Sequence, residues 1–389
     1  MACTRYQPWF AVPMNDGFHQ SEFRARGLRA NTSDLTLGKH PHQALTMLTP
    51  DCSKRQGTGS IYKAMATPML IHIGLHKTGT SYLQRLIFDD VRAGFRSPVP
   101  RLLLRETFVT SDAFSFEPEL ARSHLSKFLT SNHPEETVTV LSHEQFSGQP
   151  AGGGYGLRRR EREVGRKELA DRLYDTFPDA RILMVIREQR AMLRSIYKWM
   201  VCGWEGRLSA TPRQFLDQSP LMDGYSPLFN GKYLEYHHLV QYYQQRFGTT
   251  NVLVLPYEWL AENRVDFVNQ IRTFVGLRTI TSAPEARVNP GSPATLCAIQ
   301  RNLNRLLASP NRPGRRSLPE RYAAALARRT GALLPRHLNA LVENRLVEQF
   351  EAWAEERYAL SNRKTTEITG LDLPSLGYVV PDMPKDLST

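Results

Sequence analysis

Lys77 stands in a run of small and hydroxyl residues, Gly74-Leu75-His76-Lys77-Thr78-Gly79-Thr80-Ser81. Main-chain amides, an ammonium group and three hydroxyls can converge there on one anion. Met69 to Ile73 ahead of it is apolar and reads as a short buried strand, and Tyr82 to Phe88 behind it has helical periodicity. Strand, tight loop and helix start together form a phosphate cradle, because the first N–H groups of a helix lack intrahelical acceptors and sit at the positive end of its dipole. Gly74 and Gly79 permit the backbone angles and close approach of such a nest. A second constellation lies further along. The apolar stretch from Asp179 ends in Arg187, and Ser195 follows eight residues later on a helical pattern. A guanidinium fork matches phosphate oxygens and a serine adds a neutral donor; the alternative for Arg187 is an ion pair with its neighbour Glu188. Third, His143 and Glu144 stand side by side at the end of a strand over 137–141, on the edge of a parallel sheet where ligands bind. Either could accept a proton, with His76 as a third candidate. Glu144 could equally cap a helix or pair with an arginine.

These groups need a frame. Strands are expected at 69–73, 137–141, 181–186 and 251–255. They alternate with helices near 79–90, 117–131, 163–177, 189–202, 211–217, 232–247 and 262–275. Such alternation predicts an α/β chain: a P-loop-like three-layer fold with a central parallel sheet flanked by helices. A mainly helical C-terminal region follows over 293–361, broken by the Pro/Arg-rich stretch from Pro310 to Pro319. Residues 1–67 are polar and lack periodicity, which predicts a disordered extension not needed for the fold. The domain is expected to occupy 68–380, and 381–389 to be a tail.

The order of residues in the loop separates two chemistries. A Walker A loop places lysine after its second glycine, whereas Lys77 precedes Gly79. That order, with Arg187 and Ser195 downstream, resembles the nucleotide-binding motifs of sulfotransferases that use 3′-phosphoadenosine 5′-phosphosulfate (PAPS). The segment Val254 to Leu260, which contains Tyr257 and Glu258, and the stretch from Leu360 to Tyr378 are also similar to that family, so the likeness spans residues 69–380. Its nearest branch is the bacterial type, closer to the carbohydrate enzymes than to the small-phenol ones. The resemblance implies transfer of a sulfuryl group from PAPS to a hydroxyl of a carbohydrate or glycoconjugate, with release of adenosine 3′,5′-bisphosphate. Lys77 would stabilise the bridging and leaving oxygens. His76, Thr78, Gly79, Thr80 and Ser81 would line the 5′ site, Arg187 and Ser195 would hold the 3′-phosphate, and Tyr257 would pack near the adenine. Glu144 ranks first as base and His143 second. No metal is implied.

Bulk properties narrow the partners. The net charge of +12 favours anionic ligands, without separating an acidic substrate from an acidic cofactor. Arg158, Arg159, Arg160, Arg162, Arg166 and Lys167 could meet an acidic substrate or form a solvated loop. Tyr197, Trp199 and Trp204 could line an acceptor cleft or pack in the core. His237 and His238 are adjacent on a helix and point about 100° apart, so they make a poor ligand pair. No run is long enough to span a membrane. Four cysteines without paired spacing argue against a disulfide framework and fit a reducing cytoplasm. A monomer or a homodimer is expected, with no nucleic-acid partner. Two other readings stay open: a P-loop nucleotide kinase or NTPase, which predicts magnesium dependence, and a non-enzymatic basic module for nucleic acid with steep salt dependence.

Overall fold

The computed structural model describes residues 69–130, 137–150, 165–203, 208–219, 227–285, 291–307, 317–333 and 335–381. The expected extension 1–67, the basic run Arg158 to Arg162, Trp204, and all of the tail except Pro381 lie outside the described residues.

Five strands form one all-parallel sheet: β1 Met69–His72, β2 Phe95–Arg96, β3 Val138–Ser142, β4 Arg181–Ile186 and β5 Val252–Pro256. Their order is β2-β3-β1-β4-β5. In register, Ile71 lies beside Leu141 and Ile182, and Ile182 beside Val252. The inner strands are buried on both faces, which is why they read as continuous apolar runs without alternation. Two apolar clusters cover the faces, one around Ile71, Leu141 and Met184 and one around Leu70, Val140 and Leu183. After β1 the chain crosses to the edge strand β2, returns inward through β3, and then passes to β4 and β5 on the other side of β1, so loops from β1, β3, β4 and β5 meet at the carboxyl edge beside β1.

Helix α1 begins at Thr80–Tyr82 and widens to a π-helical segment, Leu83–Phe88. Helix α2 (Arg101–Leu104, continuing as Arg105–Val109) and the two-residue strand β2 were not expected; both are too short for a periodicity to register. Next come α3 Pro118–Leu129, α4 Arg166–Thr176, α5 Gln189–Cys202 and α6 Pro212–Leu216. Helix α7, Tyr236–Phe247, follows a 3₁₀ turn over Gly231–Leu234. Helix α8, Tyr257–Glu262, runs directly off β5 and was not expected; the helix expected over 262–275 is α9, Arg264–Phe274, which starts where the Asn263 side chain caps Val265 and Asp266. The C-terminal region holds α10 Ala294–Leu307, α11 Leu318–Leu333, α12 Arg336–Ala354 and α13 Ala359–Thr369. It clamps α5 through Lys198–Glu343 (2.5 Å) and the longer pair Arg194–Glu351 (3.9 Å). Both cations therefore have structural partners. The unpaired cysteine spacing hides a contact, since Cys202 on α5 and Cys297 on α10 have their Sγ atoms 2.9 Å apart.

His72, at the end of β1, is 0 % exposed. Its Nδ1 is 2.8 Å from Ser142 Oγ, and Gln84 Nε2 donates to that same oxygen at 3.0 Å, tying β1, β3 and α1 together beneath the loop. Burial lowers the His72 pKa from 6.5 to about 3. A histidine kept neutral by the fold supports stability above pH 6.5 and withdraws that support as pH falls toward 3. Linkage gives a loss of about 2 kcal/mol at pH 5 from this residue alone. His143 and His237, each lowered to about 4 by burial, act in the same direction. The melting temperature is therefore expected to drop from pH 7 to pH 5 with net proton uptake on unfolding; a flat profile across that range would contradict it.

Candidate active site

The loop between β1 and α1 is built around two left-handed residues. Lys77 has φ 66°, the one non-glycine residue with positive φ among those described, and Gly79 has φ 82°. A non-glycine residue there costs about 1–2 kcal/mol and persists only where its surroundings impose it. Arg187 supplies part of that hold, its Nη1 donating to the Lys77 carbonyl at 3.0 Å. Thr78 (0 % exposed) and Thr80 both turn their hydroxyls inward to the Leu75 carbonyl, at 2.7 and 3.3 Å, which tightens the loop from within. Those protons are committed to the loop, so what Thr78 and Thr80 offer an anion there is their main-chain N–H groups. At Gly79 a Cβ would come within 2.6 Å of Leu260 Cδ2 and 3.4 Å of the Tyr257 ring, so the loop can lie against α8 only without a side chain. Gly79→Ala combines that overlap with the left-handed backbone. It is expected to lower stability by roughly 1–2 kcal/mol, read as a reduced melting temperature; an unchanged value would show that the loop relaxes freely.

Lys77 is half-buried and its ammonium makes no hydrogen bond or ion pair among the described residues. Burial lowers its pKa, the nearby Glu144 carboxylate opposes that shift, and Arg187 adds to it. Three charged groups from three segments thus act on one space: Lys77 after β1, Glu144 after β3 and Arg187 after β4. Arg187 is not paired with Glu188. Glu188 caps α5, accepting from the N–H groups of Arg190 and Ala191 (2.9 Å each), and pairs with the Arg190 side chain at 2.7 Å. The Arg187 guanidinium instead lies over the Tyr257 ring at 4.6 Å, while Tyr236 Oη donates to its carbonyl at 2.6 Å. Ser195 is half-buried on α5, about 10 Å along the axis from the cap at 1.5 Å per residue.

Glu258 was passed over beside Tyr257, yet it braces this side. It accepts from the Glu188 N–H (3.0 Å) and from Tyr378 Oη (3.1 Å), and burial raises its pKa. Tyr378 thus ties the C-terminal stretch to the β4 and β5 ends. Only the quoted Tyr-Glu pair and that stretch hinted at this bond.

The β3 side holds the proton-transfer candidates. Glu144 is exposed and its carboxylate has no partner among the described residues. His143 caps the 3₁₀ turn Glu144–Ser147, its Nδ1 accepting from the Gln145 N–H at 3.1 Å. That nitrogen is therefore unprotonated, so the neutral ring carries its hydrogen on Nε2 and faces any ligand as a donor. Its pKa is lowered to about 4 by burial, then by Arg105, His76 and Arg101, so it stays neutral at pH 7. His76 is 2 % exposed and packs beside Trp199 (ring centroids 5.3 Å) and Tyr233. Ser147 and Tyr233 had no signal in the sequence, being a serine and a tyrosine without motif context. Tyr197 is a core residue, donating to the Ala210 carbonyl at 3.0 Å and packed on Phe215 and Phe350. His237 is bound to Ser361 across α7 and α13 at 2.8 Å. No group of three or more possible metal ligands occurs among the described residues, nor is any helix of theirs long and apolar enough to cross a membrane.

No family model matches the chain, and no curated protein matches it either. Among solved structures, it is similar to a sulfotransferase from Alicyclobacillus acidocaldarius, at 19% identity and TM-score 0.41 over 57% of this chain and 87% of that one. A mouse sulfotransferase complexed with PAP matches at 17% identity and TM-score 0.33 over 55% of this chain and 60% of that one. The sulfotransferase domain of a Synechococcus olefin synthase matches at 13% and 0.34, over 67% and 94%.

Proposed function

We propose that the chain is a sulfotransferase that takes the sulfuryl group from PAPS and passes it to a hydroxyl of a carbohydrate or glycoconjugate. One observation carries the reading most: Arg187 donates to the carbonyl of Lys77, so the two separated motifs border a single space. A nucleotide phosphorylated at both ends needs that arrangement, with one cation at each phosphate. The residues present fit such a donor. Lys77 has an uncommitted ammonium, Arg187 keeps further N–H groups beyond the one given to Lys77, and Tyr257 offers an aromatic face already stacked by Arg187. Ser195 supplies a second contact for the 3′-phosphate.

The sheet order divides the space. The ends of β4 and β5 carry Arg187 and Tyr257 on the nucleotide side; the end of β3 carries Glu144 and His143 on the other, with Lys77 between them. PAPS supplies an electrophilic sulfur on a phosphate leaving group, and the protein positions both partners and stabilises charge. Lys77 holds the negative charge that builds on the leaving oxygen. Trp199, half-buried beside His76, presents an aromatic face on the acceptor side, which suits a sugar ring. Glu144 and His76 flank the same side, where the acceptor's proton has to be taken up.

A kinase or NTPase would place its lysine after Gly79 and an acid at the end of the strand that here leads into Arg187. Calorimetry separates the two. Adenosine 3′,5′-bisphosphate is expected to bind without magnesium and at least tenfold more tightly than ATP with magnesium. The reverse order would overturn the sulfotransferase reading.

A further inference from the structure

We infer that His76, through Nε2, is the group that takes the proton from the acceptor hydroxyl, and that Glu144 acts on His76 and not on the acceptor. The inference rests on the sulfotransferase reading above and assigns a role within that same site.

Hydrogen-bond accounting around Tyr233 carries it. Ser147 Oγ lies 3.1 Å from the Gly74 carbonyl and 3.1 Å from the Glu144 carbonyl, both of which can only accept, so the serine's one proton goes to them. Ser147 Oγ is also 3.0 Å from Tyr233 Oη. With its own proton committed, the serine accepts there, and Tyr233 gives its proton to Ser147. The phenol oxygen can then only accept from His76, whose main-chain N–H is at 3.5 Å and whose Nδ1 is at 3.3 Å. His76 Nδ1 therefore carries the hydrogen, and Nε2 is left with a lone pair. That nitrogen has no partner among the described residues. The chain runs one way, from His76 through Tyr233 and Ser147 to the backbone of the loop and of the β3 end.

The neighbouring histidine has the opposite polarity. The Gln145 N–H points at His143 Nδ1, so His143 presents N–H where His76 presents a lone pair. Geometry thus reverses the order in which the sequence placed the two histidines, His143 ahead of His76. Charged and titratable groups face His76 from each packed segment. Lys77 in the loop lowers its pKa, Glu144 at the β3 end raises it, and burial lowers it most. His143 stands beside it on the β3 side, Tyr233 lies on the 3₁₀ turn with Arg166 4.8 Å over its ring, and α5 contributes the uncharged Trp199. The ring is neutral at pH 7, as a base must be, and the Glu144 carboxylate stabilises the imidazolium once formed.

In the transfer step the acceptor oxygen bonds to sulfur while its proton moves to His76 Nε2. The sulfur–oxygen bond to the 5′-phosphate breaks and its electron pair stays on the phosphate oxygen beside Lys77. A sulfate ester, adenosine 3′,5′-bisphosphate and a histidine cation result, and the cation returns its proton to solvent.

Two measurements test this. Long-range ¹H–¹⁵N correlation spectra of histidine-labelled protein at pH 7, assigned with His76→Gln and His143→Gln, are expected to show the Nδ1–H form for His76 and the Nε2–H form for His143. An Nε2–H signature for His76 overturns the inference. In sulfate transfer from PAPS to a panel of neutral polysaccharides, His76→Gln should lower kcat at least 100-fold and leave adenosine 3′,5′-bisphosphate affinity within threefold. Glu144→Gln should keep measurable turnover with the acidic limb of its kcat/KM profile moved to lower pH, because an imidazolium without its carboxylate neighbour deprotonates more easily. Loss of that limb in Glu144→Gln with retention in His76→Gln would give the role to Glu144. Failure of the wild-type chain to bind the bisphosphate would instead remove the parent reading, which separates the two failures.

Discussion

Lys77→Ala is expected to lower kcat for sulfate transfer by roughly 10²–10³-fold, the usual effect of removing one preorganised group from developing negative charge. The fold should not notice. The Lys77 ammonium has no partner among the described residues, and the carbonyl that Arg187 grips belongs to the backbone and survives the substitution. Alanine occupies the left-handed region no less readily than lysine, so the loop keeps its shape. Melting temperature should stay within a degree or two while turnover collapses, and affinity for adenosine 3′,5′-bisphosphate should fall modestly. Burial and Arg187 lower the Lys77 pKa from its ordinary value while Glu144 opposes them. Transfer should therefore fail on the alkaline side below the usual lysine range, as the ammonium loses its proton. Undiminished turnover in the alanine variant would remove Lys77 from the reaction.

Arg187→Ala carries the second large effect, and here binding suffers first. The side chain holds three things together: the Lys77 carbonyl at 3.0 Å, the Tyr257 face at 4.6 Å, and the space its remaining N–H groups look into. A hydrogen bond to a charged group contributes about 1.5–3 kcal/mol. Adenosine 3′,5′-bisphosphate should thus bind on the order of 10–100-fold more weakly, whereas AMP, without the 3′-phosphate, should lose much less. Arg187→Lys should not restore the difference, because an ammonium lacks the planar fork and stacks poorly on tyrosine. Calorimetry with both nucleotides decides it. Equal losses for the two would mean that Arg187 shapes the loop without reading the 3′-phosphate.

Some of this was legible along the chain. The apolar runs 181–186 and 251–255 stood out because a strand of a parallel sheet is covered on both faces and reads as unbroken hydrophobicity. Helix α5 was placed at its observed bounds, since its apolar residues repeat at 3.6-residue spacing. Strand β2 and helix α2 escaped, as two to four residues hold no period. Helix α8 escaped as well, because its six residues continue directly from β5 and the Asn263 cap separates them from α9, the helix that was expected. Neighbours far apart in sequence were invisible: Cys202 with Cys297, Lys198 with Glu343, Glu258 with Tyr378.

The sequence alone determined the chemistry on offer: a lysine in a glycine-bounded loop after a strand, an arginine at the end of another strand, and an acid beside a histidine. Those follow from local rules of turn, period and cap that act within a few residues. Which way each group points is a different matter. Whether a histidine holds a proton or a lone pair toward the ligand depends on what its other nitrogen meets, and for His76 that is Tyr233, 157 residues away. Only the packed chain brings that phenol to that ring, because contacts at such separation are set by how the sheet orders its strands and carry no periodic trace in the sequence.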